Sequence, residues 1–278
     1  MTEFFEAIQN VPLIRYSLLA GIVSSLMFGV VGSFVVTRRI GYIAAAIAHS
    51  ILGGIGAAIY FNRVHGVEWL TPMIGAIAAA LISAAVIGWV TIQFKEREDT
   101  IIGAIWAFGM ATGLMFIYFA PGTQTNLESF IMGNILITSE KDVIATVVLG
   151  ALVLLFVALF YHKLVAVCFD EEFASLRGVS ARVYYLLLLA ITGICMVLLV
   201  RVAGIILSLA LIVLPAATAS RFAGRLWVIM IVAVVLSIIY NVGGLALSFQ
   251  MSVPTGPLIV LVACTVYAAS FFVKRRAR

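Results

Sequence analysis

Charge is what this sequence has least of. Only 10% of its 278 residues are Asp, Glu, Lys or Arg, against 64% hydrophobic, and the mean hydropathy is +1.21. A water-soluble chain of this size needs far more polar surface, so the medium around most of it is lipid. Proline is sparse, six residues in all, and no low-complexity linker interrupts the chain. That leaves no separate soluble domain, and residues 1–278 read as a single transmembrane domain. Cysteine is limited to Cys168, Cys195 and Cys264. They lie far apart with no CxxC pair, and behave as small apolar side chains. No GxxxxGK[ST] occurs anywhere, so the chain binds no nucleotide through a P-loop. The first fourteen residues, MTEFFEAIQNVPLI, hold two glutamates and no basic residue, the wrong charge for the start of a cleaved signal peptide.

What the chain has instead is long apolar runs. About 20 such residues cross a bilayer as a helix. The sequence supplies about nine, eight to ten being compatible with it: roughly 16–37, 41–61, 71–94, 100–120, 143–161, 183–200, 203–220, 226–247 and 256–273. The expectation is an all-α, polytopic membrane protein. The seventh run carries Pro215 and follows the sixth almost without a break, as a broken or re-entrant pair would. Alternate loops separate the basic residues thirteen to four, with only Arg15, Arg63, Lys141 and Arg201 on the minority side. The positive-inside rule then puts the N-terminus outside and the C-terminal KRRAR in the cytoplasm. Two polar segments remain. Residues 121–142 lie outside and contain FIMGNILI, too short to span and too apolar for water. Residues 161–182 form the longest cytoplasmic loop.

His49 lies in AIAHSILGGIGA, near the middle of the second run. Polar groups at that depth are costly and usually functional. Ala46, Ser50, Gly54 and Ala58 recur every four residues, and Ala45, His49, Gly53 and Ala57 form the adjacent stripe. The imidazole therefore projects beside the thinnest face of its helix, where another helix or a substrate path can approach closely. Neutral imidazole binds zinc, iron, manganese and copper. An interhelical hydrogen bond is the simpler alternative, since no second histidine or carboxylate lies inside a span. His65 falls in an outer loop, His162 at a cytoplasmic end and Arg201 at an outer boundary. The missing carboxylates also argue against coupling to a proton or sodium gradient. In the cytoplasmic loop, FDEEFASLRGVSAR reads as one short helix. Asp170 caps it, Glu171 and Glu172 fill the first turn, and Gly178 stops it. Phe173 and Leu176, with Ala174 beside them, make an apolar face suited to a groove on a partner protein.

RRIGYIAAAIAHSILGG, REDTIIGAIWA, IMGNIL, FDEEFASLRGV, VAGIILSLALIVLPAATASR and PTGPLIVL occur in that order. Together they resemble the permease subunit of ABC importers for zinc, manganese or iron, the ABC-3 family, over nearly the whole chain. The resemblance implies a plasma-membrane homodimer, two cytoplasmic ATP-binding subunits and an extracytoplasmic metal-binding protein. The metal would be substrate rather than a permanent cofactor, and no nucleic acid would be involved. It also implies that Asp170 to Gly178 hold the helix that couples to the ATPase. The family's second span typically reads SYxGDAxSHAxLPG, with an aspartate and a histidine on one helix face. His49 matches the histidine, Ala45 stands at the aspartate and Gly53 at the proline. Half of the pair is missing, with Ala45, Ser50, Gly53 and Gly54 left to line the pathway. A permease for a larger metal chelate is the alternative within transport. A stand-alone channel or carrier has no need of the FDEEFASLRGV loop, and an enzyme is excluded furthest, since no nucleophile–base pair is visible.

Overall fold

The structure is a computed structural model that describes residues 10–94, 98–121 and 139–273. All regular structure among them is α-helical. The elements are α1 (Pro12–Thr37), α2 (Gly41–His65), α3 (Pro72–Phe94), α4 (Glu98–Phe119), α5 (Glu140–Phe169), α6 (Glu171–Leu176), α7 (Ala181–Phe222), α8 (Leu226–Met251) and α9 (Thr255–Ser270). Among the described residues, eight stretches are long and apolar enough to cross a membrane, and α9 is a shorter apolar helix. The FIMGNILI stretch, the C-terminal KRRAR and residues 95–97 lie outside the described residues.

Two boundaries differ from the sequence reading. The second run extends past Phe61 to His65, where Gly66 turns left-handed at φ 66°. His65 is thus the last helical residue of α2 rather than part of a loop. The fifth run continues through YHKLVAVCF to Phe169, because nothing there breaks a helix before Asp170. The cytoplasmic loop is shorter by that much. Lys163 fits in the helix because its ammonium lies 5.6 Å from the ring centres of both Phe160 and Tyr184, a cation–π pairing that suits a membrane edge. The sixth and seventh runs are the broken pair expected: two spans, Ala181–Val200 and Ala203–Phe222, within a 42-residue helical stretch broken at Gly204 (φ 77°, ψ 170°), with Pro215 inside the helix. Straight, it would measure about 63 Å, twice the apolar thickness of a bilayer. The break thus falls at the glycine, whose backbone can adopt that conformation, and not at the proline.

The contacts group the chain into two compact units. One holds Met1–Arg38, Glu128–Leu159 and Leu198–Arg278; the other holds Arg39–Leu127 and Phe160–Val197. In the first, α1 packs on α8. A Cβ on Gly29 would reach within 2.6 Å of the Val234 Cα, so the two backbones touch. Asn241 Nδ2 donates to Ser25 Oγ at 2.8 Å, and Ser25 Oγ donates to the Gly21 carbonyl at 2.7 Å. At the far end of α7, the Arg221 guanidinium covers the Phe271 ring at 3.9 Å.

In the second unit, α2 is the central helix, flanked by α3 and α4. Gly54 and Gly75 face one another: a Cβ on Gly54 would lie 2.6 Å from the Ala79 Cβ, and one on Gly75 would lie 2.7 Å from the Ala58 Cβ. Helices in lipid gain little by hiding apolar surface from each other, so close backbone approach holds the pair. Gly54→Leu is therefore expected to cost upwards of about 3 kcal/mol and to abolish recovery of folded protein in detergent. Gly103→Ala on α4, where a Cβ meets nothing within 4 Å, should melt at the same temperature as the parent or slightly higher. Equal melting of the two variants would overturn this account of the α2–α3 contact. Exposed Tyr42 and Trp89 lie towards one end of this unit's helices, and Trp69 and Tyr118 towards the other. That is where amphipathic rings settle at a bilayer surface.

Candidate functional site

His49 is half-buried on α2, four residues before the helix midpoint. Its Nδ1 lies 2.8 Å from the Ala45 carbonyl oxygen one turn earlier. A carbonyl only accepts, so this contact places the proton on Nδ1 and leaves the lone pair on Nε2. The ring is stacked on Trp106 of α4, with centroids 4.1 Å apart and planes 25° from parallel. Trp106 Nε1 in turn donates to Met110 Sδ at 3.2 Å. Among the described residues no group of three or more His, Cys, Asp or Glu side chains gathers into a metal cluster.

Three of the four other expected pathway residues line a cavity of about 530 Å³ between α2, α3 and α4. Ser50, Gly53 and Gly54 line it, together with Ile82, Ser83, Phe108 and Thr112 among others. Ala45 and His49 are not in its lining. Ser50 Oγ donates to the Ile47 carbonyl at 2.7 Å and accepts from Ser83 Oγ at 2.7 Å. A Cβ on Gly53 would meet the Gly109 carbonyl at 3.0 Å and Thr112 Oγ1 at 3.1 Å. The small-residue stripe thus serves helix contact on α3 and α4 as well as the cavity wall. Sequence reasoning missed Ser83, Trp106, Met110 and Thr112. One signal was available, the pair Gly109 and Gly113 spaced by four on α4, which meets the backbone of α2 at Ser50 and Leu52.

The short helix α6 forms as its sequence predicts. Asp170 Oδ1 accepts from the Phe173 N–H at 2.9 Å, and Glu171 and Glu172 occupy the first turn. At the other end, the Val179 N–H donates to the Ala174 carbonyl and the Gly178 N–H to the Ser175 carbonyl, both at 3.0 Å. With Gly178 at φ 77°, this is a Schellman stop. Ala174 turns inward, 1% exposed, whereas Phe173 is 49% and Leu176 87% exposed. The apolar face therefore consists of Phe173 and Leu176, three apart and on one side, without Ala174. Arg177 lies over the Phe173 ring at 4.7 Å. Beside α6, a hollow of about 460 Å³ is lined by Ser175, Val179, Ser180 and Arg182, with Gly178, Ala181 and Val183.

Residues 10–274 match the model of the ABC 3 transport family. A probable metal transport system membrane protein of Chlamydia trachomatis is 37% identical over 95% of this chain and 90% of its own length. The manganese transport system membrane protein MntC of Halalkalibacterium halodurans is 30% identical over 98% of this chain and 91% of its own. Among solved structures, PsaBC from Streptococcus pneumoniae in complex with Fab superposes with a TM-score of 0.86. It is 29% identical, covering 98% of this chain and 95% of that one.

Proposed function

Since the chain belongs to the ABC 3 transport family, we propose that it is the membrane-spanning subunit of an ATP-driven importer of a divalent transition metal, manganese first among zinc, manganese and iron. The protein is a multi-pass integral membrane protein of the plasma membrane. The observation that carries the reading is the family match along nearly the whole chain, joined to relatives named for manganese and metal transport. The subunit works as a homodimer with two cytoplasmic ATP-binding subunits and an extracytoplasmic metal-binding protein. Its N-terminus is outside, as the basic-residue asymmetry requires.

The working parts are two. The α6 segment, capped by Asp170 and closed by Gly178, offers Phe173 and Leu176 to a groove on the ATP-binding subunit, with Glu171 and Glu172 alongside. His49 supplies the Nε2 lone pair to the metal in transit. A single imidazole without its carboxylate holds an ion weakly, which suits a group that must release what it binds. The Ala45 carbonyl does for Nδ1 what a second-sphere acceptor does in a fixed metal site, holding the tautomer that leaves Nε2 free.

The test is transport by the purified complex in vesicles. Uptake of free manganese, zinc or iron that requires ATP and the ATP-binding subunit is expected. ATP-dependent uptake of a metal chelate with no uptake of the free ions would replace this reading by the chelate permease. Uptake of the ions without ATP would leave a channel or carrier.

A further inference from the structure

The carboxylate expected one turn before His49 is absent, yet the imidazole is held at two places. The Ala45 carbonyl takes the Nδ1 proton at 2.8 Å, which fixes the direction of one ring edge. That bond alone leaves the ring plane some torsional freedom about its side-chain bonds. The Trp106 indole removes this freedom by covering one face of the ring at 4.1 Å and 25°. A stack of this kind adds orientation beyond mere burial. The indole is itself anchored, because its one polar group donates to Met110 Sδ at 3.2 Å, one turn along α4. With one edge bonded and one face covered, the imidazole plane is defined, and with it the direction of the Nε2 lone pair.

We propose that Trp106 is a positioning residue for the transported ion, holding His49 so that Nε2 is presented to a divalent cation by stacking where a neighbouring carboxylate is lacking. The proposal rests on the reading of His49 as the pathway ligand. Met110 acts at one remove, keeping the indole from turning. Trp106 does not touch the ion. Its benefit is preorganisation: a ring already set in its binding orientation loses less freedom when a cation arrives. Losing the hydrogen-bonded orienting partner of a metal-binding histidine typically weakens the site ten- to a hundredfold, and loss of a stacking partner, with the Ala45 bond kept, should fall at the lower end of that range.

The experiment titrates Mn²⁺ alone against the full chain in detergent, following the paramagnetic broadening of the His49 ring signals by NMR. Uptake by the assembled transporter is measured in parallel. Trp106→Leu is expected to require about tenfold more Mn²⁺ for half-broadening. It should raise the half-saturating concentration for uptake by a similar factor, with the maximal rate within about twofold. Trp106→Phe, which keeps a stacking face, should stay within about threefold of the parent in both. The loss of indole shielding should also shift the His49 ring protons in Trp106→Leu. If Trp106→Leu binds and transports Mn²⁺ as the parent does, the positioning role is overturned. It is equally overturned if Phe and Leu variants fall alike in maximal rate with unchanged half-saturation, since that is a packing defect. Absence of any Mn²⁺ effect on His49 in the parent chain would instead remove the reading of His49 on which the proposal stands.

Discussion

His49→Ala is expected to cut metal uptake at least about tenfold while the complex still assembles and hydrolyses ATP. The imidazole is the nitrogen donor in the middle of α2, and the neighbouring position, Ala45, offers only a backbone carbonyl already engaged by Nδ1. Nothing on the same helix face can substitute for it. Damage that merely perturbs a ligand's surroundings already costs ten- to a hundredfold, so removal of the ligand should cost no less. The fold should survive. His49 is only half-buried, and its stacking on Trp106 is worth about 0.5–1.5 kcal/mol. The measurement is initial uptake of manganese, zinc and iron into vesicles, normalised to assembled complex. Unchanged uptake of all three metals would reduce His49 to a packing residue and remove the metal role from α2.

The double substitution Phe173→Asp with Leu176→Asp is expected to abolish the stable complex with the ATP-binding subunit. Both side chains are exposed, Leu176 at 87%, so the substitutions neither empty a core nor break the Asp170 cap. The isolated chain should therefore melt as before. At the interface the effect is the reverse, because two apolar anchors become two carboxylates that lose their water on docking. Anchor residues at interfaces commonly contribute about 2 kcal/mol or more each. Two of them correspond to an affinity loss approaching a thousandfold. Co-purification and metal-stimulated ATP hydrolysis report it directly. A complex that survives both substitutions would remove α6 as the docking element, leaving the rest of the functional reading in place.

The helices were legible because lipid makes a uniform demand. A spanning segment must be apolar for about twenty residues wherever it occurs, and each run can be read without its neighbours. The α6 segment was legible for a different reason, since a cap and a stop act within their own turn. Asp170 and Gly178 play these parts in the structure as the sequence predicts. The ends of helices were less legible. A hydropathy run stops at the first charged or aromatic-polar residue, while the backbone continues until a breaker arrives. That is why α5 passes through His162 and Lys163 to Phe169, and why α2 runs on to His65.

By itself, then, the sequence determined an all-helical membrane chain, the family to which it belongs, and a histidine in the second span without its carboxylate. Only the tertiary structure decided what surrounds that histidine. The stripe beside it proved to be a contact surface for α3 and α4 as much as a wall of open space. The group across from the imidazole is Trp106, which the sequence offers only as part of REDTIIGAIWA, with nothing to say that it faces His49. The physical reason is the same in both cases. Hydropathy separates lipid from water, but within lipid it does not separate one apolar neighbour from another. Shape complementarity between helices makes that choice, as where Gly109 and Gly113 let α4 rest on the backbone of α2, and it exists only once the helices are packed.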